Sequence, residues 1–135
     1  MTAEVTYLGG LRTECRHLRS GNVILTDAPV DNRGQGQAFS PTDLIATALG
    51  NCMLTIMGIA GLDHNIDLEG ARATVNKVMG ANPRRIIRIE VTMYMPDKPY
   101  SQKEKKILER AAHLCPVKNS LHPDLEEVLE FVWLQ

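Results

Sequence analysis

The chain predicts an α+β fold in one domain, and three observations carry that reading. Short alternating runs bounded by Gly- and Asn-rich turns mark strands at the start, in the middle and at the end. Two segments open with helix-start signals, Ser40-Pro41-Thr42-Asp43 and Ser101-Gln102-Lys103-Glu104. The strands come in groups instead of alternating singly with helices, which favours helices laid on antiparallel sheet. With 135 residues and 44% hydrophobic content, residues 1–135 form one domain with a real core.

The elements follow in order. Ala3 to Leu8 alternates and stops at Gly9-Gly10; Arg12 to Leu18 is a polar strand; Ser20-Gly21-Asn22 is a turn; Val23 to Thr26 is a short strand. Asp27 to Phe39, with Pro29, Gly34 and Gly36, reads as a crossing loop. It carries no phosphate-binding glycine pattern. The first helix takes Ser40 as N-cap, Pro41 at its first position and Asp43 as the acid that reaches back. It is expected to end near Ala60, loosened by Gly58 and Gly61. The i, i+3/i+4 rule puts Ile45, Ala48, Cys52, Ile56 and Ile59 on one stripe of a helix buried on nearly all sides. Glu69 to Met79 and Arg85 to Met95 form a hairpin about Asn82-Pro83. Ile87, Ile89, Val91, Met93 and Met95 share one face of its second strand. The second helix carries a capping box at Ser101 and Glu104, with Ile107, Leu108, Ala111, Ala112 and Cys115 on one stripe. Pro116 restarts the chain, Asn119 to Asp124 turns, and Glu126 to Leu134 is the last strand. The order is β-β-β-α-β-β-α-β.

Bulk properties exclude several functions. A net charge of −1 and few aromatics (three Tyr, two Phe, one Trp) provide neither the basic footprint nor the stacking platforms of a nucleic-acid binder. The start of the chain has no basic or apolar leader pattern. Three cysteines are too few for a disulfide scaffold, so a reducing cytoplasm is expected. Leu44 to Leu62 is uncharged and long enough to span a membrane. Its Ala, Gly, Thr and Asn51 content, with Asp43 and Asp63 at its ends, favours a core helix instead.

Cys52 and Cys115 sit in unlike settings. Cys52 lies in an uncharged helical run, where burial disfavours a thiolate unless a cation is brought to it. Arg12, Arg16, Arg19 and Arg33 all precede that helix. An ordinary thiol is only about 3% thiolate at pH 7, and lowering its pKa by two units takes about 2.7 kcal/mol. Cys115 precedes Pro116 and is expected to cap a short turn whose N–H groups favour a thiolate. Either cysteine also reads as a small core hydrophobe. Cys15 lies on a polar strand and carries no further signal. His113 and His122 flank Cys115, but H-x-C-x6-H matches no zinc pattern. A Cys-His hydrolase or acyl transferase using His17, His64, His113 or His122 stays open, although no nucleophile elbow accompanies it.

Two motifs resemble the OsmC/Ohr family of hydroperoxide-reducing proteins. They are Phe39-Ser-Pro-Thr-Asp-Leu-Ile-Ala-Thr-Ala-Leu-Gly-Asn-Cys52 and Ala112-His-Leu-Cys-Pro-Val-Lys-Asn-Ser-Leu121. The element order fits the family over essentially the whole chain. The resemblance implies an intertwined homodimer, with Cys52 as the peroxide-attacking thiol and Cys115 as the thiol that closes a Cys52–Cys115 disulfide. It implies a peroxide substrate, a thiol or dihydrolipoyl reductant, and no metal, haem, flavin or other cofactor. Charge and composition, as above, argue for neither a nucleic-acid nor a membrane partner. The family pairs a helix-start glutamate with an arginine of the N-terminal strands. Here that helix position is Thr42, with Asp43 the nearest acid, and Arg12 fits the arginine position best, ahead of Arg16 and Arg19. A redox-sensing or binding module on the same fold is the non-catalytic alternative.

Overall fold

The computed structural model describes residues 1–134. Two compact units divide the chain, Met1–Ile45 and the stretch from Ala46 onward. The fold is mixed α+β, with two three-stranded sheets and helices.

The first unit holds β1 (Ala3–Gly9), β2 (Arg12–His17) and β3 (Val23–Asp27), antiparallel in the order β1-β2-β3. The β1–β2 connection needs three left-handed residues in a row, Gly9, Gly10 and Leu11, which explains its two glycines. In the β2–β3 register Arg12 faces Asp27. The following loop contains one turn of 3₁₀ helix, Val30–Asn32, and folds tightly on itself. A Cβ on Gly34 would sit 1.8 Å from the Ala28 carbonyl oxygen, so no side chain fits there. Phe39 returns to bridge Thr26. Most of this sheet's apolar side chains, including Val5, Tyr7, Ile24 and Leu25, are exposed.

Helix α1 (Pro41–His64) begins in the first unit and continues in the second. It runs past the expected end near Ala60. Asn65 in the left-handed region stops it, with the Ile66 N–H donating to the Gly61 carbonyl at 2.8 Å, a Schellman closure. Gly61 is therefore a packing glycine: an added Cβ would meet the Ile66 carbonyl oxygen at 2.6 Å. The buried stripe is Ala46, Leu49, Gly50, Met53, Met57 and Gly61. It is rotated from the expected one, and Ile45 and Ile59 are exposed. Small residues explain the rotation, since Gly50 lets Val75 approach to where a Cβ would be only 2.8 Å away. By length and composition this helix could cross a membrane, but one face of it belongs to the protein's own core.

The second sheet comprises β4 (Arg72–Gly80), β5 (Arg85–Tyr94) and β6 (Glu126–Val132), in the order β4-β5-β6. β4 and β5 pair antiparallel, as a hairpin must. β6 pairs parallel to β5, which corrects the expectation of a purely antiparallel sheet. Between them the chain crosses over through α2 (Gln102–Ala112) and α3 (Pro116–Ser120), and a crossover brings the next strand back in the same direction. A bulge at Val78/Met79 also changes the β5 alternation. Ile86 packs against the core where Ile87 was expected, while Ile89, Val91, Met93 and Met95 are buried as expected. The α2 capping box forms between Ser101 and Glu104, and Leu108, Ala111 and Ala112 bury its apolar side. Trp133 stacks on Phe131 and donates to Glu109 at 3.1 Å, tying the end of β6 to α2.

Candidate functional site

Cys52 sits midway along α1, packed at the edge of the core and half-buried. Cys115 is the N-cap of α3, follows directly on the α2 stripe, and is fully buried. Both are free thiols, and they stand close enough for Cys52 to act on the Cys115 thiol. Two elements far apart in sequence thus deliver two thiols to one place. The helix phase of α1 supplies one, and the Pro116 break after α2 supplies the other.

Sequence reasoning expected Cys52 to be the more buried thiol and Cys115 a ready thiolate. Burial is the other way round. It pushes the Cys115 thiol above its ordinary value, and the nearby Cys52 adds to the effect. The N–H groups of Lys118 and Val117 act in the opposite direction, as a helix N-terminus should, but are outweighed. No side-chain capping hydrogen bond forms at Cys115. Glu127 of β6 holds both flanks of this segment. Its carboxylate, only 9% exposed, lies 3.6 Å from Lys118 Nζ and 4.0 Å from His113 Nδ1. Sequence reading missed Glu127, because nothing local marks which strand residue faces α3.

The first unit accounts for the other predicted residues. Asp43 accepts from the Ser40 N–H at 2.9 Å while its own N–H donates to Ser40 Oγ at 3.1 Å, a reciprocal cap. Thr42 Oγ1 lies 3.3 Å from Ser40 Oγ. The carboxylate that pairs with Arg12 is that of Asp27, 3.5 Å from Arg12 Nη2. The same nitrogen donates to Gln37 Oε1. Asp27 is 1% exposed and also accepts from the Gln37 N–H at 3.0 Å. Neither Asp27 nor Gln37 was singled out from the sequence. The register could not have been counted from the Ser20-Gly21-Asn22 turn, because Arg16 pairs with Val23 and the connection is longer than that turn. The runner-up Arg16 pairs with Glu14 at 3.2 Å on the exposed strand. A depression of about 500 Å³, lined by Gly36, Gln37, Ala38, Phe39 and Asp43, adjoins the start of α1. Cys15 is half-buried and makes only a long contact, 3.9 Å, with Thr13 Oγ1. Among the described residues no group of three or more His, Cys, Asp and Glu side chains is gathered as metal ligands would be.

A fold with two unlike sheets and a paired-thiol centre between α1 and α3 defines the class, and comparison with known proteins agrees. The family model for OsmC-like protein matches residues 34–127, so the chain belongs to the OsmC-like family. A crystal structure of a candidate osmotic stress induced and detoxification response protein from Psychrobacter arcticus 273-4 is 48% identical. That comparison covers 98% of this chain and 96% of the other, with a TM-score of 0.93. An organic hydroperoxide resistance protein OsmC from Legionella pneumophila is 18% identical over 97% of this chain and 96% of its own, with a TM-score of 0.75. An organic hydroperoxide resistance protein from Elizabethkingia anophelis is 17% identical over 98% and 96%, also at 0.75. At those identities the last two show the shared fold. No match is found among curated proteins.

Proposed function

We propose that the protein is a thiol-dependent peroxidase that reduces organic hydroperoxides through Cys52 and Cys115. The observation that carries the reading is the nearness of a half-buried and a fully buried thiol on separate elements. Family membership and the hydroperoxide-resistance proteins among its structural neighbours support the substrate class.

In this mechanism the Cys52 thiolate attacks the terminal oxygen of the hydroperoxide. The O–O bond breaks, the alkoxide leaves and takes a proton to become the alcohol, and Cys52 is left as a sulfenic acid. The Cys115 thiolate then attacks the Cys52 sulfur. The hydroxyl group departs as water and the disulfide forms. A dithiol of dihydrolipoyl type reduces that disulfide by exchange and is itself oxidised. Exposure matches the order: the thiol that meets substrate is the accessible one, and the thiol that waits is shielded. The family pattern makes Arg12 the cation expected to favour the thiolate, and Asp43 caps the helix on which Cys52 lies. The protein works as a homodimer, since apolar side chains such as Val5, Tyr7, Ile45, Ile59 and Leu62 are exposed in the single chain. A reducing cytoplasm suits free thiols.

The test is stoichiometric. One equivalent of an alkyl hydroperoxide should lower the intact mass of the reduced subunit by about 2 Da, two hydrogens lost to the disulfide. Steady turnover should follow when dihydrolipoamide is supplied. If Cys52→Ser protein consumes peroxide as fast as the parent, the reading is wrong. Disulfide formation without turnover would favour the sensing module instead.

A further inference from the structure

We propose that Glu127 is a positioning residue for Cys115, clasping both flanks of the break that carries this thiol and so holding it within reach of Cys52. The proposal rests on the reading of Cys52 and Cys115 as a disulfide-forming pair. Position 127 is one that strand alternation would give to a hydrophobe. Glu127 pairs in register with Ile89, which is fully buried, and Leu129 and Phe131, two and four residues on, pack against the core. The Glu127 side chain is only 9% exposed, and its Oε2 is buried with no hydrogen-bond partner among the described residues. A buried carboxylate with one oxygen unmatched costs stability that an apolar side chain of similar volume would not. Stability alone therefore does not account for an acid here.

The groups around the other oxygen do account for it. Glu127 Oε1 lies 3.6 Å from Lys118 Nζ and 4.0 Å from His113 Nδ1. His113 is the C-cap of α2 and Lys118 belongs to the first turn of α3, so the two stand on either side of Cys115. Packing by itself holds this stretch loosely. No residue of α3 is fully buried, and Val117 and Leu121 pack only in part. A cavity of about 330 Å³ opens between α3, the turn after it and β6, with Lys118, Leu121, Leu125 and Glu127 in its lining. Cys115 is nonetheless fully buried beside Cys52. The fixed reference is β6, paired to β5 along its whole length from Glu126 to Val132. One carboxylate on a paired strand thus ties both flanks of Cys115 to the sheet. Disulfide formation between thiols on separate elements depends on their effective concentration, which a small displacement lowers steeply.

The experiment equilibrates Cys15→Ser protein, which keeps only Cys52 and Cys115, with mixtures of reduced and oxidised glutathione. The two protein thiols lose two hydrogens and form one disulfide, while one oxidised glutathione becomes two reduced ones. The mixture at half-oxidation gives the effective concentration of the pair. Glu127→Leu should lower it about tenfold, while the reduced protein unfolds no earlier on heating. Lys118 and His113 both keep contact with water, so the substitution strands no buried cation. Should Glu127→Leu fail to fold, Glu127→Gln, which keeps the shape and loses the charge, carries the test with the same expected fall. Lys118→Met should act in the same direction, and Glu127→Gln added to it should do less than it does alone. Glu126→Gln, at the exposed neighbouring carboxylate, should leave the value unchanged. An unchanged value in a folded Glu127→Leu or Glu127→Gln overturns the positioning role. So does an equal fall in Glu126→Gln, or a fall that tracks a lower thermal midpoint from variant to variant. A parent protein that forms no Cys52–Cys115 disulfide removes the pair and the proposal with it. Because no peroxide is used, the expected falls without peroxide turnover would defeat the peroxidase reading and leave the Glu127 role intact.

Discussion

Cys115 is the residue whose surroundings change the chemistry most. Burial and the nearby Cys52 push its thiol above the ordinary range, so in the proposed mechanism it is the thiol held in reserve. Two outcomes follow at this scale. Iodoacetamide at pH 7 should label Cys52 at least tenfold faster than Cys115, as peptide mapping would measure, because one thiol is half-exposed and the other fully buried. The linkage sign is equally definite. The folded state holds the Cys115 proton more tightly than the unfolded chain, so this stabilisation is complete below about pH 8.5, the unfolded thiol value. It is lost as pH rises through the higher folded value. Urea midpoints of the parent should fall above that pH more steeply than those of Cys115→Ala, and parallel curves would contradict the assignment.

Along the elements, the glycines of α1 separate two effects that look alike in sequence. Gly58 has nothing within 4 Å of an added Cβ, whereas Gly61 would bring one against the Ile66 carbonyl and Leu68. Gly58→Ala should therefore raise stability, by up to about 1 kcal/mol of helix propensity. Gly61→Ala should lower it by about 1–3 kcal/mol, the strain exceeding the same propensity gain. Thermal unfolding of the pair decides; two stabilised variants would mean that the Schellman end is free to shift. Ser101→Ala removes the capping-box acceptor of α2 and should cost about 1 kcal/mol. Because α2 leads into Cys115, the same variant should also speed alkylation of Cys115.

At the level of the molecule, the proposed homodimer has apolar surface to cover. β1, β3 and one side of α1 expose Val5, Tyr7, Leu8, Ile24, Leu25, Ile45, Ile59 and Leu62. Sedimentation at micromolar concentration should give twice the mass of the 15.0 kDa chain. Replacing Ile59, an exposed apolar residue of α1, with lysine should shift that mass toward the monomer. A wild-type protein that sediments as a monomer would remove the dimer from the proposed function.

Element order, both helix starts and the places of Cys52 and Cys115 along the helices were legible in the sequence, because caps, prolines and turn residues act over a few neighbours. Ser40-Pro41, Ser101 with Glu104, and Cys115-Pro116 each announce a local backbone event that occurs where expected. Tertiary structure alone decided the parallel pairing of β6, the face of α1 that is buried and the inverted burial of the thiols. It also decided the carboxylate on Arg12. Those outcomes depend on which distant side chain arrives: Val75 over Gly50, Ile66 over Gly61, Asp27 across from Arg12. The sequence by itself determined that two thiols stand at two helix landmarks. Packing and strand register determined that they meet, and which of them faces water.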